Sequence, residues 1–122
     1  MAKKILFVDD SASMRQVVGL AIKGAGYEIE TAVDGRDGVS KLELGRYDAI
    51  ITDLNMPNMN GIEFIKAIKT HARNKFSPII MLTTESAAEL KQQGQAAGAK
   101  VWMVKPFKPE QLIGVLHKLI GS

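Results

Sequence analysis

The sequence predicts an α/β fold, an open doubly wound sheet of five parallel strands with five helices distributed over its two faces. Short apolar runs alternate with amphipathic segments along all 122 residues, without linkers, repeats or low-complexity stretches, and that is the pattern of consecutive βα units. Right-handed crossovers leave an open sheet or a closed barrel, and five strands are too few for the eight-stranded barrel. The length suits a single core, so residues 1–122 are read as one domain.

Each element follows from local pattern. Lys4 to Val8 reads as the first strand. Met14, Val17, Val18, Ala21, Ile22 and Ala25 recur at the spacing of a helix with one buried face, capped by Ser11 or Ser13 and stopped by Gly24 and Gly26. Glu28 to Ala32 alternates, as a half-buried edge strand does. A second helix is expected from about Arg36 to Leu44, with Val39 and Leu42 inward and Gly45 as its stop. Asp48 to Thr52 forms the third strand, followed by the turn-rich LNMPNMNG. Ile62, Phe64, Ile65 and Ile68 mark a third helix ending near His71. Ser77 and Pro78 open the fourth strand, Ile79 to Leu82. The segment Ser86 to Ala97 is expected to be helical, but it is rich in Ala, Gln and Glu and contains Gly94, so its packing face is thin and it is the helix most apt to shift. Lys100 to Val104 is the fifth strand, and Pro109 opens a last helix carrying Leu112, Val115, Leu116 and Leu119 on one side.

Composition narrows the function classes. With no cysteine there is no disulfide scaffold, thiolate metal site or cysteine nucleophile. The apolar run in MAKKILFVDD is too short for a signal peptide, and no later run approaches a membrane span, so a soluble cytoplasmic protein is expected. The net charge of +3 is spread along the chain. Without a recognition motif it reads as a solvated basic surface and not as a nucleic-acid site.

The chemistry lies at the strand ends. Asp9 and Asp10 follow ILFV, Asp53 follows AIIT, Thr83 follows PIIML, and Lys105 follows VWMV. Each alone has a bland reading: a helix N-terminus for the first two, a solvated or paired edge carboxylate, a helix cap, a loop lysine. In a parallel sheet, however, all five gather along the carboxyl edge, where ligands bind in such folds. Two like charges about 4 Å apart cost on the order of 4 kcal/mol at an effective dielectric near 20, so clustered acids call for a counter-charge. Lys105 and a divalent cation would supply it. Mg²⁺ suits hard carboxylate oxygens, and His71 and His117, read as separate surface helix residues, give no support for zinc. Asp9 and Asp10 are placed to hold the metal directly or through water. Asp53, alone on the central strand with Gly61 and its loop backbone free to approach, is the best nucleophile toward a phosphoryl group. Lys105 would neutralise phosphoryl oxygens and Thr83 would donate a hydrogen bond.

The motifs FVDDS, TDLNMPNMNG, LTTE and VKPF, together spanning essentially the whole chain, resemble the receiver domain of two-component response regulators, in its single-domain chemotaxis form. The resemblance implies a flavodoxin-like strand order of 2-1-3-4-5. It implies Asp53 as phosphoacceptor, with Asp10, Asp53 and the Asn55 carbonyl as Mg²⁺ ligands and Asp9 acting through water. Thr83 is similar to the switch hydroxyl and Lys105 to the site lysine, with a cis Lys105–Pro106 peptide. Asn55 and Glu85 match positions that tune dephosphorylation. The switch aromatic, usually Tyr or Phe, is Trp102 here. An indole needs more room and a partner for its N–H, so a half-exposed packing residue stands beside the switch reading.

The function expected is a phosphorylation-activated signalling switch, an enzyme only toward its own phosphorylation and dephosphorylation. A histidine kinase is the donor, a phosphatase a further partner, and the output a protein contact of a monomer, foremost the flagellar motor switch. With the last helix expected to run to the end of the sequence, no DNA-binding output domain is expected. Two alternatives stay open: a phosphorelay or phosphate-sink receiver, and a receiver cut from a larger regulator. Haloacid-dehalogenase-like phosphatases also pair an aspartyl nucleophile with Mg²⁺, but they need a second aspartate where this chain has Asn55.

Overall fold

A computed structural model describes residues 2–84 and 88–121. The strands are β1 (Lys4–Val8), β2 (Glu28–Ala32), β3 (Ala49–Asp53), β4 (Ile79–Thr83) and β5 (Val101–Val104); the helices are α1 (Ala12–Gly24), α2 (Gly35–Leu42), α3 (Gly61–Lys69), α4 (Ala88–Ala97) and α5 (Pro109–Ile120). The strands form one parallel sheet in the order β2-β1-β3-β4-β5, as expected. The strand expected at its edge, β2, lies there.

Burial on both faces explains why the three central strands read as continuous apolar runs. Alternate residues point to opposite sides: Leu6, Val8, Ile50, Ile79 and Met81 join Leu42, Phe64, Ile65 and Ile68 from α2 and α3. Ile5, Phe7, Ala49, Ile51, Ile80 and Leu82 join Val18 and Ile22 of α1 and Leu112 and Leu116 of α5. The chain order reverses between β1 and β3, the central pair, so the switch point lies between the ends that carry Asp9 and Asp53.

Several boundaries differ from expectation. Helix α2 begins at Gly35 because Asp34 caps it, its side chain accepting from the Asp37 amide. Asp53 and Thr83 are the last residues of their strands rather than the first beyond them. Of the stripe assigned to α1, Val18 and Ile22 are buried and Met14 and Ala25 pack beside them, but Val17 is 53 % exposed. His117 is exposed on α5, but His71 lies past the end of α3, half-buried, with Nε2 3.3 Å from a Glu43 carboxylate oxygen. Ser86, the expected start of α4, and Glu85 lie outside the described residues. No helix among the described residues is long and apolar enough to cross a membrane.

Candidate functional site

Four strands deliver the expected residues to the carboxyl edge. Asp9 follows β1 and continues its ladder, donating its amide to the Ala32 carbonyl at 3.1 Å; Lys105 follows β5 and donates its amide to the Thr83 carbonyl at 2.7 Å. Asp9, Asp53 and Thr83 are buried and Asp10 is exposed. One carboxylate oxygen from each of Asp9, Asp10 and Asp53 lies within 4.8 Å of the others. The Lys105 ammonium is 3.1 Å from Asp9 Oδ2 and 3.5 Å from Asp53 Oδ1. The Lys105–Pro106 peptide is cis, as the motif led us to expect.

The hydrogen bonds separate the three acids. Both Asp9 oxygens are engaged, Oδ1 by the Ser11 amide at 2.9 Å and Oδ2 by Lys105. Asp53 Oδ1 accepts from the Leu54 amide at 2.9 Å, while among the described residues nothing donates to Oδ2. A carboxylate oxygen without a donor among the described residues is one that can act as a nucleophile. Burial pushes the Asp53 carboxyl above its ordinary value; Lys105 opposes that shift and Asp9 adds to it. The donor set is all carboxylate, with no imidazole or thiolate, and it carries more negative charge than Lys105 alone offsets. Both properties fit a small hard cation such as Mg²⁺.

Some contacts were not legible in the sequence. The Arg15 guanidinium donates to the Asp9 carbonyl at 2.7 Å, placing a second cation beside the acids. Met14, Thr84, Lys105, Pro106 and Phe107 line a cavity of about 320 Å³ next to the site. Gly61 approaches Asp53 as expected, but as a fixed packing contact and not as a free loop residue. A Cβ there would lie 2.4 Å from the Asp53 carbonyl oxygen, so this glycine lets the start of α3 close against the end of β3.

Trp102, paired with Met81 across the sheet, is half-buried against the α3 and α4 side of the core. Its indole N–H is buried and finds no acceptor among the described residues. The benzo edge lies over Gly94 of α4, where an added Cβ would meet Cζ3 at 2.6 Å and Cε3 at 3.1 Å. Glycine inside a helix ordinarily costs about 1 kcal/mol relative to alanine; here it makes room for the ring. Gly94→Ala should therefore lower the melting temperature by several degrees, overpacking outweighing the helix propensity gained. It should also move Trp102 fluorescence toward that of an exposed indole. A more stable variant with unchanged fluorescence would remove the slot from this account.

An aspartate cluster at the switch point of a 2-1-3-4-5 sheet, closed by a lysine from β5, defines a receiver domain. The chain belongs to that family: the response regulator receiver domain matches residues 5–117. Among curated proteins it is 36 % identical over 121 residues to chemotaxis protein CheY1 of Helicobacter pylori, covering 98 % of each chain. Among solved structures it is similar to Vibrio cholerae chemotaxis protein CheY4, with a TM-score of 0.93, 50 % identity and coverage of 98 % and 99 %. It is also similar to the receiver domain of a Pseudomonas aeruginosa sensor histidine kinase, with a TM-score of 0.90, 30 % identity and full coverage of both chains. That structure has a magnesium ion coordinated in its active-site cleft.

Proposed function

We propose that this chain, as one receiver domain over residues 1–122, accepts a phosphoryl group on Asp53 from a histidine kinase and thereby changes its affinity for an output protein. The observation that carries the reading is a buried Asp53, surrounded by Lys105 and two further carboxylates, whose Oδ2 accepts no hydrogen bond among the described residues. Attack by that oxygen on a phosphohistidine forms the P–O bond of an acyl phosphate as the P–N bond breaks, and the imidazole leaves with the electron pair and takes up a proton. Lys105 neutralises the transferring oxygens, Thr83 donates to one of them, and Asp9 holds Lys105 in place. Asp10, Asp53 and the Asn55 carbonyl would hold Mg²⁺, with Asp9 acting through water because both of its oxygens are already engaged. When bound, the ion supplies charge neutralisation at the phosphoryl oxygens. Asn55 and Glu85 tune hydrolysis of the acyl phosphate. An amide at position 55 cannot serve as the acid/base group that sustained turnover would need.

The output we propose is a flagellar motor switch protein, bound by the α4, β5 and α5 surface of a cytoplasmic monomer, with a phosphatase resetting the state. Chemotaxis relatives support this output. The thin packing of α4 supports its part in the movement: among its residues whose burial is described, only Gly94, which has no side chain, is buried, and Ala97 packs partly against the core. Such a switch needs only a few kcal/mol of difference between its states. Similarity to a receiver of a sensor histidine kinase favours, as a second reading, a relay receiver or part of a larger regulator. Pull-down with the flagellar switch protein separates the two. Binding should increase at least about tenfold when a small phosphodonor and Mg²⁺ are added, and equal binding in both conditions would point to the relay.

Mg²⁺ should also stabilise the fold, by about 2.7 kcal/mol at a hundred times its dissociation constant. The pH dependence has a defined sign. Asp53 holds its proton more tightly folded than unfolded, so in metal-free buffer its penalty is absent below the ordinary value of 3.8. The penalty sets in as pH rises through the elevated value, and stability falls there. Thermal unfolding between about pH 4 and 7, with Mg²⁺ and with chelator, should show the stabilisation by Mg²⁺ growing with pH. A stabilisation that did not change with pH would argue against a cation on Asp53.

A further inference from the structure

The loop from 54 to 60 joins Asp53 to α3, and it is fixed at both ends. Gly61 donates its amide to the Leu54 carbonyl at 2.8 Å, and Asn60 and Glu63 cap each other's amides at the start of α3. Between these points the backbone of Asn55 and Met56 makes no hydrogen bond among the described residues, and Asn55 is exposed. The middle of the loop is held from elsewhere in the fold. Asn58 Nδ2 donates to Asp34 Oδ2 at 2.7 Å, while Asp34 Oδ1 accepts from the Asp37 amide at 2.8 Å as the cap of α2. Asn58 has φ of 69°, the only positive value outside glycine among the described residues. Asparagine is among the few side-chain-bearing residues that adopt this conformation readily. The loop also rests on the first turn of α2: a Cβ on Gly35 would lie 2.6 Å from the Met59 carbonyl oxygen and 2.7 Å from Met59 Cβ.

We infer that Asp34 and Asn58 form a clamp that sets the path of this loop, presents the Asn55 carbonyl to the carboxylate cluster, and so fixes the cation affinity of the site. The inference rests on the Mg²⁺-dependent reading above. Asp34 and Asn58 are positioning residues that touch neither cation nor phosphoryl group. They act as outer-sphere partners do at metal sites, where loss of such a partner costs about tenfold or more in affinity. Asp34 lies outside the motifs that mark the site, and Asn58, though inside TDLNMPNMNG, carries no role read from that motif, so the sequence does not pair them. Asp34 ends β2's connection to α2, 24 residues before Asn58, and only the fold brings the two together.

Two substitutions break the link while keeping local structure. Asn58→Gly suits the left-handed backbone and removes the amide. Asp34→Ser keeps an oxygen to cap α2 and removes the second acceptor. Mg²⁺ titrations of the full chain, followed by amide chemical shifts, should show affinity about tenfold weaker in each variant. The double variant should lose no more than either alone, as expected when both changes remove one interaction. Melting temperatures should stay close to that of the wild type. The reciprocal pair Asp34→Asn with Asn58→Asp re-forms a donor and acceptor in the opposite sense and should restore affinity, which a purely structural role would not require. Unchanged affinity in both single variants, or additive losses without rescue by the reciprocal pair, would overturn the inference while leaving the site itself intact. Failure of the wild-type chain to bind Mg²⁺ would instead overturn the reading beneath it, and the clamp with it.

Discussion

Asp53→Asn should abolish phosphoryl uptake from small phosphodonors and from a histidine kinase, and it should also make the protein more stable. The first effect is complete because no other acid can take over. Both Asp9 oxygens already accept hydrogen bonds, and Asp10 stands exposed at the rim. The second follows from burial. Burial raises the cost of the Asp53 charge; Lys105, 3.5 Å away, offsets part of it and Asp9 adds to it. What remains is the cost of keeping a carboxylate away from water. A neutral amide relieves it, with a gain on the order of 1 kcal/mol, a few degrees in melting temperature for a chain of this size. Metal-free unfolding should also lose much of its pH dependence in this variant. A variant that kept its phosphorylation would move the nucleophile elsewhere; one that was markedly destabilised would mean the Lys105 pair dominates.

Lys105→Ala should produce three effects of unlike sign. Removing the ammonium leaves Asp9 and Asp53 facing one another without their cation, and Asp9 is fully buried. Taking one partner from a buried ion pair costs about 3 kcal/mol or more; because Lys105 keeps some solvent access, the lower end is expected. Mg²⁺ affinity should rise, by about tenfold or roughly 1.4 kcal/mol, since the cluster has lost its competing positive charge. Phosphorylation should nevertheless slow by about a hundredfold or more, because the transferring oxygens lose a fixed counter-charge. Denaturation, Mg²⁺ titration and phosphorylation kinetics on the one variant check all three. Weaker Mg²⁺ binding would show that Lys105 supports the ion rather than competes with it.

Most of the fold was legible because its signals are local. The runs ILFV, AIIT and PIIML are buried on both faces and can be little else, and the polar residues that end them mark the sheet's carboxyl edge. The site was legible for the same reason: a parallel sheet collects its strand ends. Features that depend on two distant segments were not. Gly94 reads as a flaw in a weak helix until Trp102, eight residues on and in another element, is seen to occupy its surface. Asp34 looks like part of a turn in VDGRDG, and only the fold brings Asn58 to it. Val17 falls outside the buried stripe because hydrophobicity alone does not set the edge of a helix face: Val18 and Ile22 of the same stripe are buried, while Val17, one residue around, faces solvent. Gly61 reads in sequence as a glycine free to approach Asp53, whereas its missing side chain is what lets the start of α3 close against the end of β3.

The measurement that tests the central claim most directly traps the phosphorylated chain. The protein is treated with a small phosphodonor and Mg²⁺, then reduced with borohydride, which converts an aspartyl phosphate to homoserine and leaves hydroxyl phosphate esters untouched, and peptides are mapped by mass. The account predicts homoserine at position 53 alone, and none when Mg²⁺ is chelated. Homoserine at Asp9 or Asp10, or a phosphate that survives reduction, would contradict it.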